Sequence, residues 1–211
     1  MKTLRLERLP IFTIGIVIVN ACIFFFMEVM SGGIDSLYML EHGALFLPKV
    51  IEEKEYYRLF TACFLHFDFR HLMNNMFMLA ISGSLLERAI GHVKYICLYI
   101  LSGLGGVFLT AFVRILDMEE RGSVIAGASG AIFGVIGGLF IVSVRTRGRY
   151  RNLSMRNMFI MILLTIVFGF NTEGVDGWGH LGGLLMGILV GIPLVWSSKR
   201  LDMSAENRSE Y

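Results

Sequence analysis

Residues 11–30 contain one glutamate and no lysine, arginine or aspartate, and this single stretch excludes most soluble folds. A helix rises about 1.5 Å per residue, so a run of this length matches a hydrocarbon core about 30 Å thick. In that layer there is no water to bond the backbone, and a span must satisfy its own N–H and C=O groups, as a helix does. Further apolar stretches follow at 71–86, 93–113, 124–144, 157–170 and 178–196. The one at 71–86 opens on polar residues and the one at 157–170 is short, so hydropathy marks these two least sharply. Composition agrees with the pattern: 55% of the 211 residues are hydrophobic and only 17% are charged, with a mean hydropathy of +0.66. The expectation is an all-α polytopic membrane protein, a bundle of six transmembrane helices. The first stretch is too long for a signal peptide and lacks a small-residue cleavage site, which predicts a retained span. The chain then divides into a cytoplasmic N-terminus (1–10), one six-span domain (11–196) and a polar, disordered cytoplasmic tail (197–211).

A net charge of +2, from 19 basic and 17 acidic residues, offers no single-signed surface for nucleic acid. Cys22, Cys63 and Cys97 are scattered without metal-ligand spacing, so no metal or cofactor is expected and the thiols are read as small hydrophobes. Lysine and arginine collect in cytoplasmic loops. With the N-terminus inside, that side holds Arg88, Lys94 and the tract "RTRGRYRNLSMR", while the opposite loops carry fewer basic residues and most of the acids. Both termini are therefore expected to be cytoplasmic, and the tract serves as a topology anchor, with anionic-lipid binding as a lesser role.

This topology brings the polar residues of three spans to one depth. Ser129 stands in "VIAGASGAIFGVIGGLF", flanked by Gly127, Ala128 and Gly130, and is expected about five residues into its span, roughly 7 Å below its start. His180 falls just inside the last span, in "GWGHLGGLLMG"; His71 and Asn75 fall in the first turns of the second, four apart and on one helix face. Ala126, Gly130, Gly134 and Gly138 recur every four residues, as do Gly179, Gly183, Gly187 and Gly191. Two such stripes allow close backbone approach in lipid, which would carry Ser129 against the helix of His180. The plain alternative is that Ser129 belongs to the packing stripe and that the histidines are satisfied by backbone or by each other. Serine beside histidine is a nucleophile and its general base, the minimum for acyl transfer. Donors for the oxyanion would be the Ser129 amide, Asn75 and His71. Asp176, four residues before His180, is read as a helix cap and not as a third catalytic member.

These residues resemble the rhomboid intramembrane serine proteases. "GASG" at 127–130 is similar to the family's nucleophile motif. "GHLGGLLMG" resembles its last-span pattern, at His180, Gly183 and Gly187. "HFDFRHLMNN" resembles its second-span pattern at His66, His71 and Asn75, and "GSLLERAIG" the pattern at Gly83, Glu87 and Gly91. Tyr57 and Arg58 stand where the family usually has tryptophan and arginine. The resemblance implies a six-helix bundle and a Ser129–His180 dyad without an acid. It also implies an oxyanion site of Asn75, His71 and the Ser129 amide, an aromatic ring from Phe133 against the histidine, supporting roles for Gly127 and Gly130, and structural roles for Arg58 and Glu87.

Hydrolysis in that layer needs a cavity open to the outer aqueous phase. The expected substrates are transmembrane proteins whose helices unwind near their outer ends, where small or helix-breaking residues lower the cost. The stretch 157–170 and the loop "GFNTEGVDGWG" are expected to form a movable gate. A noncatalytic binder of membrane proteins using the same cavity is the alternative. A proton-relay transporter fits less well, because the acids lie in loops and no inverted repeat is visible. The expected setting is a bacterial plasma membrane.

Overall fold

Residues 11–31 form the first helix because nothing in "IFTIGIVIVNACIFFFMEVMS" interrupts one. α1 (Ile11–Ser31) ends where Gly32 turns left-handed (φ 67°) and donates its N–H to Glu28 O. The computed structural model describes residues 9–117, 122–151, 153–172 and 174–201, and among these it is all-helical; one isolated bridge pairs Leu45 with Ile125. Three short helices, α2 (Ser36–Glu41), α3 (Leu47–Ile51) and α4 (Arg58–Thr61), and a 3₁₀ turn at Ala62–Phe64 fold the first long connection. Five longer helices follow: α5 (Phe69–Ile90), α6 (His92–Leu116), α7 (Ser129–Arg145), α8 (Met155–Asn171) and α9 (Gly177–Trp196).

α7 is the centre of the bundle, with Ala131 through Leu139 buried on every face. An apolar helix buried all round needs neighbours that approach closely, and glycine provides them. A methyl group at Gly183 of α9 would overlap the carbonyl of Gly130, and one at Gly187 the carbonyl of Gly134. α6 meets the same surface: an added Cβ at Gly106 would lie 2.7 Å from Gly179 O, and one at Gly182 would lie 2.6 Å from Gly105 O. Backbone therefore touches backbone across α6, α7 and α9, a geometry that favours dispersion and Cα–H···O contacts where no hydrophobic drive operates. α5 packs on α7 from another side and carries α1 on its outer surface, where Ile14, Ile18, Phe25 and Phe26 face outward. α8 is peripheral; its buried residues are Met158 and Gly169 alone.

α1, α6 and α9 are each long and apolar enough to cross a membrane, and α7 and α8 are apolar helices of 17 residues. α5 has 22 residues but includes Arg70, His71, Asn74, Asn75, Glu87 and Arg88. Six long helices thus occupy the six expected stretches, three of them with the length and apolarity of a span. One expectation is corrected. Residues 124–128 are apolar but not helical, because Leu45 and Ile125 exchange both backbone hydrogen bonds at 2.9 Å and Gly127 adopts φ 143°. Ser129 is consequently the first residue of α7 and not the fifth of a longer helix. Residues 1–8 and 202–211 lie outside the described residues, and with them most of the expected terminal segments. Ser198 and Leu201, within the expected tail, are packed: Ser198 Oγ donates to Ala89 O at 2.9 Å and Leu201 joins the core.

Gly183→Ala should therefore destabilise the bundle by about 1–3 kcal/mol, since the methyl has only backbone to displace. Gly15→Ala, where an added Cβ meets nothing within 4 Å, should instead stabilise α1 by about 0.5–1 kcal/mol. Thermal unfolding of both variants in detergent checks the opposite signs.

Candidate active site

Ser129 starts α7, where the first amides of a helix have no partner within it and carry the positive end of its dipole. The approach to it is held by the Leu45–Ile125 bridge and by Gly127, whose N–H donates to Ala62 O at 2.9 Å. Only glycine suits position 127. Its φ of 143° is strained for any other residue, and a Cβ there would lie 3.0 Å from both Cε1 and Nε2 of His71 and 3.7 Å from Ser129 Oγ. Gly127 is thus the narrow gap separating the serine from His71.

α5 brings in the second group. Asp68 caps the helix, accepting from the His71 N–H at 2.8 Å, and Asn75 follows one turn later. The Asn75 amide nitrogen donates to His66 Nε2 at 3.0 Å; an accepting Nε2 leaves the neutral ring's proton on Nδ1. One amide N–H of Asn75 remains for another acceptor. His66 is buried in the segment before α5, and its ring meets that of His71 edge-on, with centroids 5.0 Å apart.

α9 supplies His180. Asp176 caps this helix as expected, Oδ1 accepting from Gly179 N at 3.1 Å, and the His180 N–H donates to Asp176 O at 3.1 Å. The imidazole lies flat on Phe133, centroids 4.2 Å apart and planes 10° from parallel. On its other side is α8: a Cβ at Gly169 would sit 3.0 Å from His180 Nδ1. That nitrogen is buried and makes no hydrogen bond among the described residues, and none joins His180 to Ser129. The two are brought to facing first turns by their chain neighbours, since an added Cβ at Gly130 would approach Gly179 O to 3.3 Å.

Arg58 and Glu87 lie outside this cluster and hold the elements around it. Arg58 is 2% exposed; its Nη1 donates to Leu40 O at 2.6 Å and Ala44 O at 2.9 Å, and its Nε to Glu55 Oε2 at 2.5 Å. The guanidinium carbon lies 5.4 Å from the centroid of Tyr57, close enough for a cation–π contact. Tyr57 thus sets an aromatic ring beside the guanidinium although it replaces the tryptophan usual in the family. Glu87 is fully buried at the far end of α5. Its carboxylate accepts from Phe12 N (3.0 Å), Thr13 N (2.8 Å), Thr13 Oγ1 (2.7 Å) and His92 Nδ1 (2.5 Å). α1 has no side-chain cap of its own, and Glu87 acts as that cap from another helix.

Ser129, Gly127, His71, Asn75 and His66 thus form one group, and His180, Phe133, Gly130 and Gly169 a second beside it. The family model for the Rhomboid domain matches residues 53–197, which include all of these. The chain belongs to the rhomboid family. It is similar to "Rhomboid protease GluP" of Bacillus subtilis, 30% identical over 185 residues that cover 88% of this chain and 35% of that protein. "RHOMBOID-like protein 4" of Arabidopsis thaliana is 32% identical, over 77% of this chain and 40% of its own length. "Rhomboid-like protease 1" of Toxoplasma gondii is 33% identical, over 73% and 52%. This rhomboid chain spans about a third to a half of the length of these relatives. Family and apolar helices together make it an integral membrane protein, and two of these relatives are named as proteases. The relatives come from plants and an apicomplexan as well as a bacterium, so they do not support the expected bacterial setting.

The motifs miss two contacts of this rhomboid site: Gly169 against His180, and Thr110, whose hydroxyl donates to Asp176 Oδ2 at 2.7 Å. Thr110 carries only a faint signal, its place four residues after Gly106 on the face of α6 that meets α9.

Glu87→Ala should cost roughly 3 kcal/mol or more, because several buried donors lose their acceptor, and Glu87→Gln less, because one oxygen remains; denaturant titration in micelles checks the order. In the first connection, the Arg58 hydrogen bond holds the Glu55 carboxyl below its ordinary value of 4.5, against the opposing effect of burial. A lowered carboxyl contributes stability above its ordinary value and loses it as pH falls through the lowered one. Amide exchange in residues 40–58, corrected for intrinsic rate, should be flat from about pH 7 to 5 and rise in stronger acid. Glu55→Gln should raise it at neutral pH.

Proposed function

We propose that the protein is an intramembrane serine endopeptidase that hydrolyses peptide bonds in or near the transmembrane segments of other membrane proteins. The observation that carries this reading is the stack of His180 on Phe133, at the helix turn whose backbone meets that of Gly130, the residue after Ser129. An imidazole held flat by a ring presents its edge, and with it Nε2, toward a reacting group. Ser129 Oγ attacks the scissile carbonyl as His180 Nε2 takes the hydroxyl proton. The developing oxyanion receives hydrogen bonds from the Ser129 N–H, at the positive end of α7, from the free N–H of Asn75 and from His71. The intermediate collapses, His180 returns the proton to the leaving amine, and the acyl group remains on Ser129. Water then attacks the ester, giving up a proton to His180; this second intermediate collapses as the bond to Ser129 Oγ breaks, His180 returns the proton to that oxygen, and the acid product leaves.

The six long helices are the six spans in this reading, both termini are cytoplasmic, and the cluster opens to the outer face. Substrates enter from the bilayer and unwind locally to expose a bond. α8 is the candidate gate, since only Met158 and Gly169 of its residues are buried, and the connection after it contains Gly174 at φ 75°. A cross-link tying α8 to α5 should then stop cleavage of a membrane substrate while leaving small soluble probes able to react.

The deciding experiment compares wild type, Ser129→Ala and His180→Ala on a single-span reporter in liposomes. Either substitution should lower cleavage by at least about 10³-fold with folding retained. A fluorophosphonate should label wild type and not Ser129→Ala. Folded wild type that neither cleaves nor labels would point to a noncatalytic membrane-protein binder using the same cavity.

A further inference from the structure

Thr110 is fully buried on the face of α6 that receives α9, and its hydroxyl donates to Asp176 Oδ2 at 2.7 Å. The other carboxylate oxygen accepts from Gly179 N at 3.1 Å, and the carbonyl of the same residue accepts from His180 N at 3.1 Å. Asp176 thus joins α6 to the backbone of the turn that carries the imidazole. It makes no hydrogen bond to His180 Nδ1, which has no partner among the described residues.

The other supports of this turn are packing contacts, with Gly179 O close against Gly106 and Gly130. His180 Nδ1 has no hydrogen-bond partner among the described residues, so the ring is kept by its stack on Phe133 and by the position of its own backbone. α8, which precedes α9 in the chain, is buried only at Met158 and Gly169. A hydroxyl-to-carboxylate bond is charge-assisted and stronger than a neutral one. It is thus the principal polar tie on the start of α9.

We propose that Thr110 and Asp176 are positioning residues for His180, holding the first turn of α9 to α6 so that the imidazole stays over Phe133 independently of α8. The proposal rests on the protease reading given above. Displacing a reacting group by about 1 Å costs about a hundredfold in rate, so a tether of this kind acts on kcat and not on substrate affinity.

Wild type, Thr110→Val and Thr110→Ser are compared in liposomes for kcat and KM on the single-span reporter, for fluorophosphonate labelling of Ser129, and for amide exchange over 177–181. Valine keeps the shape and removes the donor; serine keeps the donor. Thr110→Val should lower kcat and labelling by about tenfold or more, leave KM within about twofold, and speed exchange of those amides, with serine restoring most of each. Unchanged kcat in folded Thr110→Val, or serine performing no better than valine, overturns the proposal. Should the valine variant fail to fold, Asp176→Asn, which keeps one oxygen for capping, should show the same selective loss of kcat; unchanged kcat there overturns it equally. If wild type neither cleaves nor labels, the protease reading falls, and exchange alone decides the tether: equal exchange in wild type and Thr110→Val removes it.

Discussion

Close contact between the backbones of α7 and α9 is the constraint on which the remaining structure depends. Lipid tails are as apolar as leucine, so two helices gain nothing from hiding hydrophobic surface from each other and must associate through contact alone. The carbonyls of Gly130 and Gly134 lie where side chains of Gly183 and Gly187 would otherwise be. The same approach buries α7 from Ala131 to Leu139 and brings the start of α9 beside Gly130, the residue after Ser129. A bundle spaced by leucine would hold these first turns farther apart. The proposed chemistry thus rests on the glycines that make the packing.

Around this rigid centre the polar groups are tied by charge. Arg58 gathers the carbonyls of Leu40 and Ala44 with the carboxylate of Glu55, so the first connection is shaped from within. The Leu45–Ile125 bridge then joins that connection to the approach of Ser129. A folded loop thus places Ser129, the proposed nucleophile, at the very start of α7 and not inside a longer helix. Among the described residues α8 makes no comparable tie, and only Met158 and Gly169 of it are buried.

Hydropathy made the six helices legible, and four-residue glycine spacing disclosed which of them meet. Asp176 was legible as a cap because its partner, Gly179, is three residues away. Residues 124–128 were misread as helix because hydropathy reports the preference for lipid and not the backbone angles; their non-helical path is held by the bridge of Ile125 to Leu45, far away in the chain. Thr110 was invisible for a similar reason. A threonine in an apolar helix is ordinary until the fold sets Asp176 against it. The motifs singled out Ser129, His180, His71 and Asn75 because chemistry restricts residue type strongly, whereas Gly169 is distinguished only by what it touches.

The capping of α1 by Glu87 has a consequence for assembly. Phe12 and Thr13 emerge from the ribosome long before the carboxylate that accepts their N–H groups. Until α5 arrives, the leading turn of α1 must remain hydrated at the membrane surface, because its bare amides are costly in hydrocarbon. α1 is thus made before α5 but capped only after it, by an acid seventy-five residues downstream of Phe12.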